Sequence, residues 1–148
     1  MSSSVTATRY HDISCGHRVA GHESKCAYLH GHNYRITFTC VAEKLDGVGR
    51  VIDFAVMNSK LCLWLEDHWD HRFIAWEKDP LVRSLGGSAE ASLMLGASIV
   101  YVPFNPTAEN MALHLLYVVG PKQLEGTGVK LVKVLVEETR KCSAAAEF

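Results

Sequence analysis

From Asn33 to Val41 the side chains alternate, and this constrains the chain more than any other stretch. Tyr34, Ile36, Phe38 and Cys40 fall on one side of an extended strand, and Arg35, Thr37 and Thr39 on the other. His32 is in phase with the apolar side, and His30, two residues earlier, shares it. A strand packs its apolar face into the protein, so both imidazoles are carried inward. A third histidine, His17, ends another apolar-rich run in Cys15-Gly16-His17-Arg18. Three neutral imidazoles without a fourth protein ligand form the pattern of a catalytic zinc, whose open position takes water or substrate. Cys26 stands just upstream of the His30-Gly31-His32 pair. A thiol beside a dication can be held as thiolate and act as base or nucleophile. Plainer readings fit the same residues. The chain has 8 His, and an H-x-H dipeptide is common surface polarity. Cys26 equally fits a fourth, structural zinc ligand or an inert buried thiol.

Composition bounds the class. With 148 residues, 48% of them hydrophobic and 21% charged, the chain reads as one soluble globular domain spanning 1–148. A net charge of −1 supplies no bulk field for nucleic acid or an anionic membrane, so neither is expected as a partner. The five cysteines are unevenly spaced, and neither a leader nor a bilayer-length apolar run is apparent. Reduced thiols in a cytoplasmic protein are therefore expected.

Along the chain, Met1 to Ser4 reads as a frayed end and Val5 to Ser14 as a first strand. Residues 18–29 read as a loop returning to the histidine pair. Asp46-Gly47-Val48-Gly49 is a turn consistent with an antiparallel partner strand. Asp53 is placed to cap a helix from Phe54 to Trp69, with Phe54, Met57, Leu61 and Leu65 as its buried stripe. Residues 70–96 carry Pro80, Gly86, Gly87 and Gly96 as breakers and read as irregular, with room for a short helix. Ser98 to Val102 reads as a short strand. A second helix opens in Asn105-Pro106-Thr107-Ala108-Glu109, capped by Asn105 or Thr107, and ends near Gly120-Pro121. Val129 to Glu138 is the last strand, with Val132, Val134, Val136 and Glu138 on one face. A carboxylate extending an apolar row requires a donor partner. The tail from Cys142 to Phe148 is uninformative.

Glu66-Asp67-His68-Trp69-Asp70-His71 holds two Asp-His pairs. An Asp bonded to His fixes its tautomer and stabilises the imidazolium, an acid/base device. Polar residues at a helix end are also ordinary solvated groups, and the sequence does not choose between the pairs. Arg18, Lys25 and Arg72 have the chemistry to bind an anion but read as ordinary surface charges.

Taken together, these pieces resemble the 6-pyruvoyl-tetrahydropterin synthase superfamily over roughly residues 8–140. They are most similar to its queuosine-pathway branch, the 6-carboxy-tetrahydropterin synthases. The marks are His17-Arg18, Cys26 with three residues before His30-Gly31-His32, and Val51-Ile52-Asp53-Phe54. Further marks are Asp70-His71, Pro106-Thr107-Ala108-Glu109-Asn110 and Glu137-Glu138-Thr139. Their shared order and spacing carry the likeness. The three-residue spacer after Cys26 resembles the queuosine branch, whereas the biopterin enzymes usually have a longer one. Three positions depart from the family pattern. Cys15-Gly16 replaces a small alanine pair, Ala75 stands where Asn is frequent, and Ala108 where a hydroxyl residue is common.

The resemblance implies an α+β unit, an antiparallel four-stranded sheet with two helices on one face. Three such sheets would close into a barrel, giving a homo-trimer or stacked homo-hexamer with sites between subunits. It implies zinc on His17, His30 and His32, and Cys26 as catalytic base or proton carrier. Asp70 and His71 would form the second proton-handling pair. Glu138 would anchor a pterin, with Thr107 and Glu109 in the same pocket. The implied reaction is zinc-dependent conversion of 7,8-dihydroneopterin triphosphate to 6-carboxy-5,6,7,8-tetrahydropterin, releasing acetaldehyde and triphosphate. Triphosphate elimination to 6-pyruvoyl-tetrahydropterin and aldol-type cleavage are the neighbouring alternatives. A non-catalytic zinc module with Cys26 as closing ligand is the alternative of another class.

Overall fold

In a computed structural model, residues 4–85 and 87–148 are described. Most of the frayed end read at Met1–Ser4, and the breaker Gly86, lie outside them. The architecture is α+β around one sheet of six strands, in the order β4-β3-β1-β2-β5-β6. These are β1 (Ala7–His17), β2 (His30–Ala42), β3 (Phe73–Trp76), β4 (Ile99–Val102), β5 (Val129–Glu137) and β6 (Ser143–Glu147). The expected four-stranded antiparallel sheet is corrected on two counts. The sheet gains β3 between β4 and β1 and β6 at one edge, and it is mixed, because β1–β3 and β3–β4 are parallel.

The extra strands were hidden for physical reasons. β3 has only four residues and lies in the stretch read as irregular. β6 has an alanine-rich face with no apolar alternation, yet Ala144 and Ala146 pair with Val136 and Val134. Small side chains suit a strand laid over an already crowded row. β1 also runs further than expected, to His17, because its partner β2 continues the ladder to His17↔His30.

A second correction concerns β5. Between Thr39 and Cys40 the register shifts, so Thr39 pairs with Lys133 but Cys40 with Leu131. Val132 is the additional residue of this bulge. The buried row is therefore Leu131, Val134 and Val136, and Val132 leaves it. Beyond the bulge the phase predicted for Val134, Val136 and Glu138 holds.

Helix α1 (Phe54–Met57) begins where Asp53 accepts from the Ala55 N–H at 2.9 Å. A π-helical turn, Asn58–Cys62, leads into α2 (Leu63–His68). Met57, Leu61 and Leu65 are buried, but Phe54 is 58% exposed and not part of the stripe. The segment read as irregular also contains α3 (Pro80–Leu85) and α4 (Ala89–Leu95). Helix α5 (Ala108–His114) is capped by Thr107, whose side chain accepts from the Asn110 N–H at 3.1 Å. It passes through a second π turn, Leu115–Val119, into α6 (Gly120–Gln123), so helix continues past Gly120-Pro121. A Cβ at residue 120 would collide with Leu131 of β5, so glycine lets this helix lie close on the strand. Met57, Leu61, Leu65, Met111, Leu115 and Val119 share one core with the inward row of β2. Among the described residues, no helix is long and apolar enough to cross a membrane.

Candidate metal centre and its surroundings

The β1–β2 ladder builds the centre. His17, last in β1, pairs with His30, first in β2, and Cys15 pairs with His32. Their rings stand 4.6 Å (His17–His30), 5.2 Å (His17–His32) and 4.9 Å (His30–His32) apart. One ligand atom from each lies within 4.8 Å of the others.

The hydrogen bonds determine which nitrogens are free. His17 Nδ1 is 2.6 Å from the Pro106 carbonyl, and His30 Nδ1 is 2.6 Å from the Tyr28 carbonyl. A carbonyl can only accept, so each Nδ1 carries the proton and each Nε2 keeps its lone pair. Such a bond behind a ligating imidazole fixes its tautomer and orientation. His32 Nε2 is buried and has no hydrogen-bond partner. Burial pushes His17 and His32 below the ordinary imidazole range, helped by the neighbouring imidazoles and opposed by Glu138. Two imidazoles held in the Nδ1–H tautomer by backbone carbonyls, with Nε2 free, and one orphaned buried nitrogen fit a divalent metal with nitrogen preference.

Tyr34 and Glu138 border the group. The fully buried Tyr34 places its hydroxyl 3.2 Å from His17 Nε2. Burial, with Cys15 and Glu138 nearby, drives its phenol well above the ordinary range, so the hydroxyl keeps its proton. Glu138, just past β5, brings Oε1 to 3.4 Å from His17 Nε2 and 3.5 Å from His32 Nε2. Its backbone N–H donates to the Cys142 carbonyl at 3.0 Å, tying it to the turn before β6. Glu138 and Glu109 line one cleft of about 470 Å³ with Ala108 and Cys142. Thr107 stands at the start of α5 beside this cleft, its oxygen engaged in the cap.

The two Asp-His pairs separate here. His68 donates to the Trp64 carbonyl at 2.9 Å and stacks on the Trp64 ring, away from Asp67. Asp70 Oδ2 instead lies 2.9 Å from His71 Nδ1, while its Oδ1 accepts from the Ser14 N–H at 2.9 Å. His71 adopts φ 60°, and its N–H donates to the Ser14 carbonyl at 2.7 Å. Gly16 makes this placement possible. A Cβ there would stand 2.8 Å from the Phe73 ring, so its absence lets β3 close on β1. His71 is 81% exposed and shares a cleft of about 340 Å³ with His32.

Cys26 lies in a 3-10 turn, Lys25–Ala27, partly buried and free. Its sulfur is not among the mutually close ligand atoms. Two features were missed in the sequence. Tyr34 had a signal, since it follows His32 in phase. Arg18 was read as a surface charge but is paired with the buried Asp79 at 2.6 Å. Asp79 lies 61 residues away, and no local pattern joins the two.

Comparison with known proteins gives a consistent result. Residues 6–147 match the family described as 6-pyruvoyl tetrahydropterin synthase. A Rickettsia bellii protein named 6-carboxy-5,6,7,8-tetrahydropterin synthase is 34% identical over 138 residues, covering 93% of this chain and 96% of that protein. Its Rickettsia typhi namesake is 35% identical with the same coverage. Among solved structures, an uncharacterized Wolinella succinogenes protein superposes with a TM-score of 0.85 at 27% identity, covering 99% of each chain. The Caenorhabditis elegans 6-pyruvoyl tetrahydropterin synthase shares the fold, with a TM-score of 0.66 at 24% identity, covering 99% of this chain and 96% of that one.

Proposed function

The chain belongs to the 6-pyruvoyl tetrahydropterin synthase family, and from that premise we propose that it is a zinc-dependent lyase making 6-carboxy-5,6,7,8-tetrahydropterin. The substrates are 7,8-dihydroneopterin triphosphate and one water, which supplies the second carboxylate oxygen, and acetaldehyde and triphosphate leave. One observation carries the reading: His17, His30 and His32 converge, with the His32 Nε2 orphaned, beside the Glu138 carboxylate. This occurs in a chain about a third identical to proteins named for that product.

His17, His30 and His32 hold the metal, and zinc bound there supplies Lewis-acid polarisation of side-chain hydroxyls, which acidifies the adjacent C–H. The remaining chemistry belongs to the chain. Glu138 accepts hydrogen bonds from the pterin ring N–H and amino group, which orients the three-carbon side chain toward the imidazoles. Glu109 and Thr107 complete that pocket. The Cys26 thiolate takes a proton from the side chain. His71, its Nδ1 held by Asp70, gives or takes the second proton at the neighbouring carbon. The sheet ends in two open edges, β4 and β6. Joining copies of the chain removes them, and we assign a ring of three or six subunits. The protein works in the cytoplasm, in 7-deazaguanine and queuosine biosynthesis.

The test is turnover by the purified zinc-loaded protein. His30→Ala and His32→Ala are expected to lose both zinc and activity. Full zinc content in the double variant contradicts the site.

A further inference from the structure

Arg18 and Asp79 form an ion pair that the proposed chemistry does not use. Arg18 Nε donates to Asp79 Oδ2 at 2.6 Å, and the Asp79 side chain is 1% exposed. A second guanidinium nitrogen, Nη1, donates to the Ala27 carbonyl at 2.9 Å. Asp79 is held in turn. Its Oδ1 accepts from the Leu81 N–H at 3.0 Å, and its own N–H donates to the Trp76 carbonyl at 2.9 Å. A carboxylate this buried persists only when paired and hydrogen-bonded, and losing one partner leaves an uncompensated charge.

The pair's position in the chain gives it consequence. Arg18 follows the ligand His17 at the end of β1, and Ala27 follows Cys26. Asp79 lies at the corner between β3 and α3, in the segment that follows Asp70 and His71. The turn Lys25–Ala27 has no buried residue and no side-chain cap, so apolar packing does not anchor it. Polar bonds do so instead. The Val19 N–H donates to the Cys26 carbonyl at 2.8 Å, alongside the Arg18 bond to Ala27. Further along, Ala20 and the Asn105 amide exchange bonds of 3.0 and 2.8 Å, next to Pro106, whose carbonyl orients His17. A rigid planar fork is required to reach Asp79 and Ala27 together, and a lysine point charge does not reproduce it.

We propose that Arg18 and Asp79 are positioning residues, a clamp that fixes the Cys26 turn against His17 and so sets the reach of the thiol to the metal centre. The inference rests on the catalytic reading of Cys26. The proposed function assigns neither residue a contact with substrate. Proton-transfer groups work only within hydrogen-bond reach, so a displaced turn costs turnover more than binding.

The experiment compares full-length, zinc-loaded Asp79→Asn and Arg18→Lys proteins with wild type. Asparagine keeps the acceptor for Leu81 and removes the charge. Zinc content, kcat, KM and the pH profile of iodoacetamide alkylation are measured, the last by mass spectrometry of the Cys26 peptide. The exposed Cys142 is the internal control. Zinc is expected to stay at one per chain and KM to change little. In Asp79→Asn kcat is expected to fall roughly tenfold or more. The rate and pH midpoint of alkylation should shift at Cys26 and not at Cys142, and Arg18→Lys should fall between. Wild-type kcat and an unchanged Cys26 profile in a zinc-replete Asp79→Asn protein overturn the clamp. If Asp79→Asn does not fold, Arg18→Lys decides on the same readouts. If neither folds, the pair is an element of folding and the inference fails. Should Cys26→Ala retain full turnover, the catalytic reading of Cys26 falls, and the alkylation profile alone then decides the clamp.

Discussion

Glu138 Oε1 stands 3.4 Å from His17 Nε2, so the carboxylate that ends the last apolar row reaches the rim of the imidazole cluster. The same oxygen is 3.5 Å from His32 Nε2. On the proposed function, metal ligands and pterin anchor are adjacent, and a substrate held by Glu138 would present its side chain to the three histidines. Replacing Glu138 by Gln exchanges an acceptor for a donor opposite the pterin N–H groups. Affinity for a pterin such as sepiapterin should weaken by about 2 kcal/mol or more, while zinc stays bound. Calorimetry on the zinc-loaded variant measures this, and unchanged affinity places the anchor elsewhere.

Cys26 is outside the mutually close ligand atoms, which separates its chemistry from metal retention. Cys26→Ala should keep one zinc per chain and the native assembly. Its turnover should drop by about 10²-fold or more, the usual scale for losing an acid/base group. Elemental analysis beside steady-state kinetics checks both halves. Loss of metal would support a closed, structural site.

The depressed imidazoles make a pH prediction for the metal-free protein. Burial lowers the pKa of His17 and His32 in the folded chain below 6.5, the ordinary value that the unfolded chain recovers. Above that value both states are neutral and the folded protein has its full stability. As pH falls below it, the unfolded state binds protons first, and stability declines until the folded imidazoles also protonate. The thermal midpoint should therefore decrease between pH 7 and 5. Added zinc, which binds only unprotonated rings, should raise the midpoint most at the upper end. A midpoint that is flat across this window contradicts buried, neutral ligands.

The contrast between His32 and Asp79 shows what the sequence could reveal. His32, Tyr34, Ile36 and Phe38 announce their common face because a strand has a period of two; the structure buries Tyr34, Ile36 and Phe38 and leaves His32 half-buried at the strand's end. Asp53 and Thr107 announce their helices because a cap depends on neighbours in sequence. β6 stays silent because a row of alanines carries no period, and β3, Phe73–Trp76, because it lies in the stretch read as irregular, between the Asp70-His71 turn and Pro80. The bulge at Val132 depends on the pairing of β5 with β2, which the β5 sequence does not encode alone. The Arg18–Asp79 pair is a contact between distant segments, invisible until the fold closes. The residue pattern alone does not choose between Asp67-His68 and Asp70-His71; the family resemblance points to Asp70-His71, and in the fold Asp70 faces His71 while His68 turns to Trp64.

The Asp70-His71 pair yields a further prediction. With Oδ2 at 2.9 Å from His71 Nδ1 and Oδ1 on the Ser14 N–H, Asp70 fixes both the ring and the turn that carries it. Asp70→Asn preserves the shape and removes the charge that stabilises the imidazolium. It should lower kcat by about 10²-fold, leave zinc content unchanged and shift the acid limb of the kcat profile. An unaltered pH profile would assign His71 no proton transfer.

The central claim concerns which bond breaks. Three residues separate Cys26 from His30, and on the proposed function this spacing would set the reach of the thiol and with it C–C cleavage. Purified, zinc-loaded protein is incubated with 7,8-dihydroneopterin triphosphate, volatile aldehyde is trapped, and the pterin is identified by mass spectrometry. The account predicts 6-carboxy-5,6,7,8-tetrahydropterin and one acetaldehyde per turnover. A pterin that keeps its three-carbon side chain, with no acetaldehyde trapped, contradicts it.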